Sequence, residues 1–224
     1  MKKEKRVLSK KERIREMTIL AMFIAIIVVM AFVPYIGFIT IGPLSATIIH
    51  IPVLIGAVLL GRKGGVILGL TFGIASLIRG ATSGGFDFVF IFPWVSVLPR
   101  FIFGLIIYDV YRFFKKIIKV RIVALAVSFA ILTLIHSLMV LPMIVSTFPI
   151  IINNASLGDI VGGDALGTMT AIDTFSSAMQ LIWSFLIAFS LIEILFAAVI
   201  GSVVADRLIQ YLQVNKNPAV KLEE

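Results

Sequence analysis

Cysteine is absent from all 224 residues, which excludes a disulfide framework, a Cys-ligated zinc or iron–sulfur site and a thiol nucleophile. Charge is scarce: 14% of residues carry one, against about a quarter in soluble domains, too few to cover a water-facing surface. Histidine and tryptophan occur twice each. Hydrolytic motifs are missing as well, with no HExxH, no GxSxG and no pair of closely spaced carboxylates inside an apolar run. GRKGG at 61–65 is Gly-rich but lacks the spacing and the terminal Lys-Ser or Lys-Thr of a phosphate-binding loop. The chain is therefore expected to be no enzyme and to hold no metal and no cofactor of its own.

What it has in abundance is apolar sequence, 60% of the residues, with a mean hydropathy of +1.11. Hydrophobic runs fall at about 17–34, 45–60, 64–79, 88–111, 122–145 and 178–205, most of them near the ~20 residues with which an α-helix crosses a ~30 Å hydrocarbon core. The prediction is an all-α integral membrane protein: a six-transmembrane-helix bundle over 17–205 in the lipid bilayer, a basic N-terminal segment at 1–16 and a tail at 206–224.

The 20 basic residues are unevenly spread. Eight lie in 1–15, Arg62 and Lys63 are adjacent, five fall between Arg112 and Arg121, and Arg207, Lys216 and Lys221 lie in the tail. The connections at 35–44, 80–87 and 146–177 hold no Lys or Arg and carry Asp87, Asp159, Asp164 and Asp173. By the positive-inside rule this alternation puts both termini in the cytoplasm (N-in/C-in), and it reads the net charge of +8 as membrane-flanking, with no nucleic-acid partner. The first run is longer than the about 7–15 apolar residues of a signal peptide, and no small-x-small cleavage site follows it, so it reads as a retained helix.

Glycine and proline punctuate the outer ends. Pro34, Gly37, Gly42 and Pro43 break the chain after the first run, and the apolar, Ser/Thr-dotted stretch 40–49 is expected to dip back into the protein. The connection at 146–177, rich in Gly, Asn, Asp and Thr, far exceeds the usual length between helices, as a lid or pocket wall would; disorder is the other reading. Small residues recur at every fourth position: Ala21 and Ala25; Gly65, Gly69 and Gly73; Ala197, Gly201 and Ala205. Each set lines one helix face for close approach. The second and third sets are expected to pack within the bundle, and Ala21 and Ala25 to face a partner.

A polar group at membrane depth is costly and needs a partner or a ligand. At ~1.5 Å per residue, Arg100 lies about 18 Å above Arg112, His50 about 18 Å above Arg62, Glu193 about 21 Å above Arg207 and His136 about 22 Å above Arg121. Arg79, about 24 Å above Lys63, falls close to the outer interface. With Trp94, Asn153, Asn154 and Trp183 in the neighbouring segments, this layer resembles the floor and walls of a ligand pocket that opens outward. The plainer readings are that Arg100 pairs with Glu193, that the histidines donate to backbone carbonyls and that the tryptophans are interfacial anchors. Glu193, a lone membrane acid, also admits a proton-coupled secondary transporter.

The basic N-terminus, Ala21-x3-Ala25 on the first helix, IGPLSATIIHIPVLIGAVLLGRKGGVILGLTFGIASLI at 41–78 and VLPRFIFGLI at 97–106 resemble the S component of energy-coupling factor (ECF) vitamin transporters. The likeness covers the six-helix plan of nearly the whole chain and is most specific across 41–106. It implies a substrate-binding subunit in the bacterial cytoplasmic membrane that captures a vitamin from outside, with the first outer loop as a gate. It further implies partners: a T subunit, met by the small-residue face of the first helix, and two ATPases that use the ATP, with the S component toppling to release its cargo inwards. HIP at 50–52 and PRFIFG look most like the pantothenate type, whose carboxylate Arg100 would suit through a bidentate contact. Folate, which has carboxylates, and riboflavin, which has none, are the alternatives. The expected substrate-binding residues are Arg100, His50, His136, Asn153, Asn154, Trp94 and Arg79, with Ala21 and Ala25 at the partner interface and Glu193 in a candidate ion pair.

Overall fold

The computed structural model describes residues 9–33, 36–41, 44–83, 85–152 and 190–214. Helix α1, Lys10–Phe32, starts inside the basic segment, ahead of the apolar run. A capping box starts it there: Ser9 Oγ accepts from the Glu12 amide at 3.2 Å, and the Ser9 amide donates to Glu12 Oε2 at 3.0 Å. Phe23, Ile27 and Ala31, spaced by four, form its inward stripe, packed on the next helix, α2 (His50–Ser83). Met17, Met22, Val29 and Phe32 stay exposed, an apolar surface that lipid accommodates and water does not. Ala21 and Ala25 belong to this open surface.

The connection after α1 adds a short hairpin to the all-helical plan. Strands β1 (Phe38–Ile41) and β2 (Leu44–Thr47) pair antiparallel, Phe38 opposite Thr47 and Ile41 opposite Leu44. Ile39, Thr40 and Ile41 are β-branched and favour extended backbone, a local preference that an expectation of helix from apolar content overlooks. Glycine is required at the base of the hairpin, because a Cβ on Gly37 would lie 2.6 Å from Ile49 Cγ1. Thr47, Ile49 and His50 are all buried, so the chain turns back into the protein as its composition predicts.

α2 reverses at Gly61, whose φ of 76° is open to glycine and strained for other residues. A Cβ on Gly65 would lie 3.0 Å from that of Ala57, whereas eight residues of continuous helix would hold the two about 12 Å apart. The arms 50–60 and 62–83 therefore fold back on one another, with Arg62 and Lys63 exposed at the turn, matching the separate runs at 45–60 and 64–79. At about 16 Å the first arm is half a bilayer core long, which leaves His50 at mid-depth.

A 3-10 turn, Gly85–Ile91, leads into α3 (Pro93–Ile117). The helix starts later than residue 88 because Pro93 sits in its first turn, where a missing amide proton costs nothing. Gly65, Gly69 and Gly73 bring α2 onto the α3 backbone: a Cβ on Gly69 would lie 3.0 Å from Gly104 Cα, and one on Gly73 2.9 Å from Val97 Cα. α4 (Arg121–Ile152) runs on through 146–152, sequence expected to be loop, and passes Pro149 as its apolar character continues. The C-terminal helix, described from residue 190, carries a π-turn at Ala197–Gly201 and continues as α5 (Ser202–Val214). Ala197, Gly201 and Ala205 are buried, with a Cβ on Gly201 only 3.0 Å from Phe129 of α4, so both inner stripes pack within the bundle as expected.

Four helices among the described residues are long and apolar enough to cross a membrane: Lys10–Phe32, His50–Thr82, Pro93–Ile117 and Arg121–Ile144. The chain is a helical, multi-pass membrane protein. Residues 178–189 of the sixth apolar run lie outside the described residues.

Candidate functional site

Arg100 is 1% exposed in the first half of α3. Pro99 beside it has no amide proton for the Val95 carbonyl four residues back, and Arg100 Nη1 donates to that carbonyl instead. The proline thereby sets the direction of the guanidinium. Arg100 Cζ lies 5.3 Å from the ring centre of Phe72 on α2 and 5.0 Å from that of Phe90 in the 3-10 turn, so two aromatic faces hold the cation. Its Nε has no hydrogen-bond partner, and no ion pair joins it to a carboxylate among the described residues.

His50, at the start of α2, and His136, midway along α4, are 0% and 3% exposed. Their rings stack with centres 6.1 Å apart and planes 19° apart. Phe72 and Phe103 lie 5.9 and 4.9 Å from His136, so Phe72 contacts both the imidazole pair and Arg100. The Thr47 carbonyl faces His50, yet none of the four ring nitrogens has a hydrogen-bond partner of good geometry among the described residues. Donors and acceptors from three helices thus converge in an aromatic setting with capacity unspent.

Glu193, buried on the C-terminal helix, is engaged elsewhere. Its Oε1 accepts from both the amide and the hydroxyl of Thr47, the latter at 3.1 Å. The carboxylate therefore ties the end of β2 to the C-terminal helix, three residues before His50. An Arg100–Glu193 pair within ion-pair distance is not formed among the described contacts.

Two further predicted residues make contacts between helices. Arg79 Nη1 donates to the Ala31 carbonyl at 3.4 Å, in the last turn of α1, where helical carbonyls lack internal partners. Trp94 Nε1 donates to Thr147 Oγ1 at 3.2 Å and its ring packs on Phe92 at 4.8 Å, while 45% of the residue stays exposed, as an interfacial anchor would be. Asn153, Asn154 and Trp183 lie outside the described residues, as does the outer connection from 153 onward. Sequence reasoning missed Phe72, Phe90, Phe103 and Thr47. Its one available signal was the proline directly preceding a membrane-depth arginine.

A buried cation with no carboxylate at ion-pair distance among the described residues, two imidazoles without a well-aligned partner there and adjacent phenylalanines are groups that can receive an anion that also carries hydrogen-bonding groups. The fold is that of a multi-pass helical membrane protein with this polar cluster buried between its helices. The family model described as "ECF transporter, substrate-specific component" matches residues 15–205, and the chain belongs to that family. The family is a transporter component and not an enzyme. The pantothenic acid transporter PanT of Lactococcus lactis subsp. cremoris is 32% identical over 120 residues, 46% of this chain and 61% of that protein. The pantothenate transporter PanT of Leuconostoc mesenteroides subsp. mesenteroides is 32% identical over 97 residues, 41% of this chain and 48% of that one. The chain spans about half to three-fifths of the length of these relatives.

Proposed function

We propose that this protein is the substrate-binding S component of an ATP-driven importer in the bacterial cytoplasmic membrane and that its substrate is pantothenate. The observation that carries the reading is Arg100, buried between Phe72 and Phe90 with no carboxylate at ion-pair distance among the described residues, Glu193 acting on it only from beyond that distance. A carboxylate substrate would complete it bidentately. Pantothenate also offers two hydroxyls and an amide for the unpaired groups around His50 and His136, and a dimethyl-substituted carbon for the phenylalanine lining. The names of the two relatives support the same vitamin.

In this reading the bundle has six membrane helices, counting the two arms of α2 and the C-terminal helix, with both termini in the cytoplasm on the strength of the basic-residue bias. ATP is hydrolysed by two partner ATPases and the force is passed through a T subunit. The exposed Ala21 and Ala25 on α1 give that subunit a face for close helix contact.

The test is titration of the purified chain with pantothenate, followed by uptake into proteoliposomes with and without the T subunit and ATPases. Saturable binding by the chain alone and ATP-dependent uptake only by the complete assembly are expected. Ala21→Leu with Ala25→Leu should keep the binding and lose the uptake. Uptake by the chain alone, driven by a pH gradient and abolished in Glu193→Gln, would make it a proton-coupled carrier instead, and preferential binding of folate or riboflavin would replace the vitamin.

A further inference from the structure

Helical serine and threonine hydroxyls in a membrane protein ordinarily bond the carbonyl one turn back. Seven do so here: Thr18, Thr71, Thr82, Ser96, Ser128, Thr147 and Ser202 each donate to the carbonyl four residues earlier, at 2.5 to 3.1 Å. Ser76 and Thr133 do not. They are 2% and 0% exposed, and their hydroxyls have no partner among the described residues.

Their positions are not arbitrary. Ser76 stands one turn beyond Phe72 on α2, and Thr133 one turn before His136 on α4, so each shares a helix face with one of the two residues whose rings meet at 5.9 Å. α2 rises from the inner turn at Arg62, and α4 from Arg121 at the same end. Ser76 therefore lies on the outer side of the Phe72–His136 contact and Thr133 on its inner side. Two hydroxyls that decline the nearby carbonyl thus stand one helical turn to either side of the Phe72–His136 contact.

We infer that Ser76 and Thr133 are substrate-binding residues, each hydrogen-bonding a hydroxyl or amide of the bound molecule and making the site selective for a hydroxylated carboxylate. The inference deepens the pantothenate reading and rests on it. A buried polar group that is paired only when the ligand is present destabilises the empty protein and strengthens the complex, so removing it moves the two quantities in opposite directions. A site with such groups also rejects an analogue that lacks the matching hydroxyl, because the protein group is then left unpaired.

The experiment compares wild type, Ser76→Ala, Thr133→Val and Thr133→Ser for thermal midpoint without ligand and for affinity towards pantothenate and its two mono-deoxy analogues. Ser76→Ala and Thr133→Val should each keep or raise the empty-state midpoint and lose about tenfold in pantothenate affinity, while Thr133→Ser, which keeps the hydroxyl, should bind like wild type. Each loss should vanish against one deoxy analogue, because the group that the hydroxyl met is already gone. Unchanged pantothenate affinity in both variants, or a loss accompanied by a fall in the empty-state midpoint, overturns the inference while the vitamin assignment stands. Failure of wild type to bind pantothenate at all overturns the assignment, and the inference falls with it.

Discussion

Arginines at the two levels of the bundle meet different neighbours. At the end of the bundle that holds the Gly61 turn, Arg62 bonds Asp109 through Nε and Nη2, and Arg121 bonds Asp206, which also accepts from Gln210 at 2.8 Å. Water is at hand there: the paired side chains are 61% and 43% exposed in the first case and 27% and 12% in the second. Arg100, on the same helix as Asp109, is buried and receives two phenylalanine faces and one backbone carbonyl. Among the described residues Arg62 and Arg121 each have a carboxylate within bonding distance and Arg100 does not, although buried Glu193 acts on its charge from further off. A buried cation without a direct counter-ion is costly, and in the proposed reading an anionic substrate supplies one.

Replacing Arg100 with Met should break this contrast most strongly. The charge-assisted contact disappears and the substrate carboxylate is left buried without a partner, so pantothenate affinity should fall at least about a hundredfold, roughly 2.8 kcal/mol. The empty protein should keep or gain thermal stability, because a buried charge with no carboxylate at ion-pair distance among the described residues is replaced by an apolar side chain of similar length. Titration and a melting curve on the same preparation read both quantities. Near-native affinity would reduce Arg100 to a structural cation.

Pro99→Ala sharpens the comparison without touching the charge. The new amide can take the Val95 carbonyl, helix α3 regains its interior bond, and Arg100 Nη1 loses the acceptor that aims it. A more stable protein with about tenfold weaker binding is expected from parallel melting and titration. Equal affinity would show that the aromatic faces alone orient the guanidinium.

Much of this site was legible in sequence because polar residues stand out against an apolar background. Counting helical rise from the basic ends placed His50, Arg100 and His136 in one layer, and they do meet through Phe72. The phenylalanines were not legible: Phe72, Phe90 and Phe103 are three among 18, and spacing cannot separate a pocket wall from core. Ser76 and Thr133 were hidden for a related reason, since a helical hydroxyl ordinarily bonds its own backbone. Helical rise assigned Arg79 and Trp94 a depth, but depth says nothing of azimuth, and their bonds to Ala31 and Thr147 join helices. Glu193 was correctly marked as a polar group in need of a partner. That partner is largely the Thr47 backbone amide, which carries no sequence signature and depends on a hairpin that apolar content alone does not predict.

The smallest effects belong to the Arg62 and Arg121 pairs, and their ranking tests whether exposure sets the worth of a charge here. Arg121→Met removes a partly buried contact and leaves Asp206, only 12% exposed on its side chain, with Gln210 alone. A loss of about 1–3 kcal/mol is expected, the range for hydrogen bonds to charged groups, with pantothenate affinity unchanged. Arg62→Ala should cost less than about 1 kcal/mol, although the Arg62–Asp109 contact has the better geometry of two bonds to one carboxylate oxygen. Water competes for both of its members, and holding a long side chain in place offsets much of the attraction. Rising salt should shrink the Arg62 effect first, since exposed charges are screened more than buried ones. Denaturation of both variants at low and high ionic strength measures this, and an Arg62 effect as large as that of Arg121 would mean that bond geometry, rather than access to water, decides what an ion pair contributes in this protein.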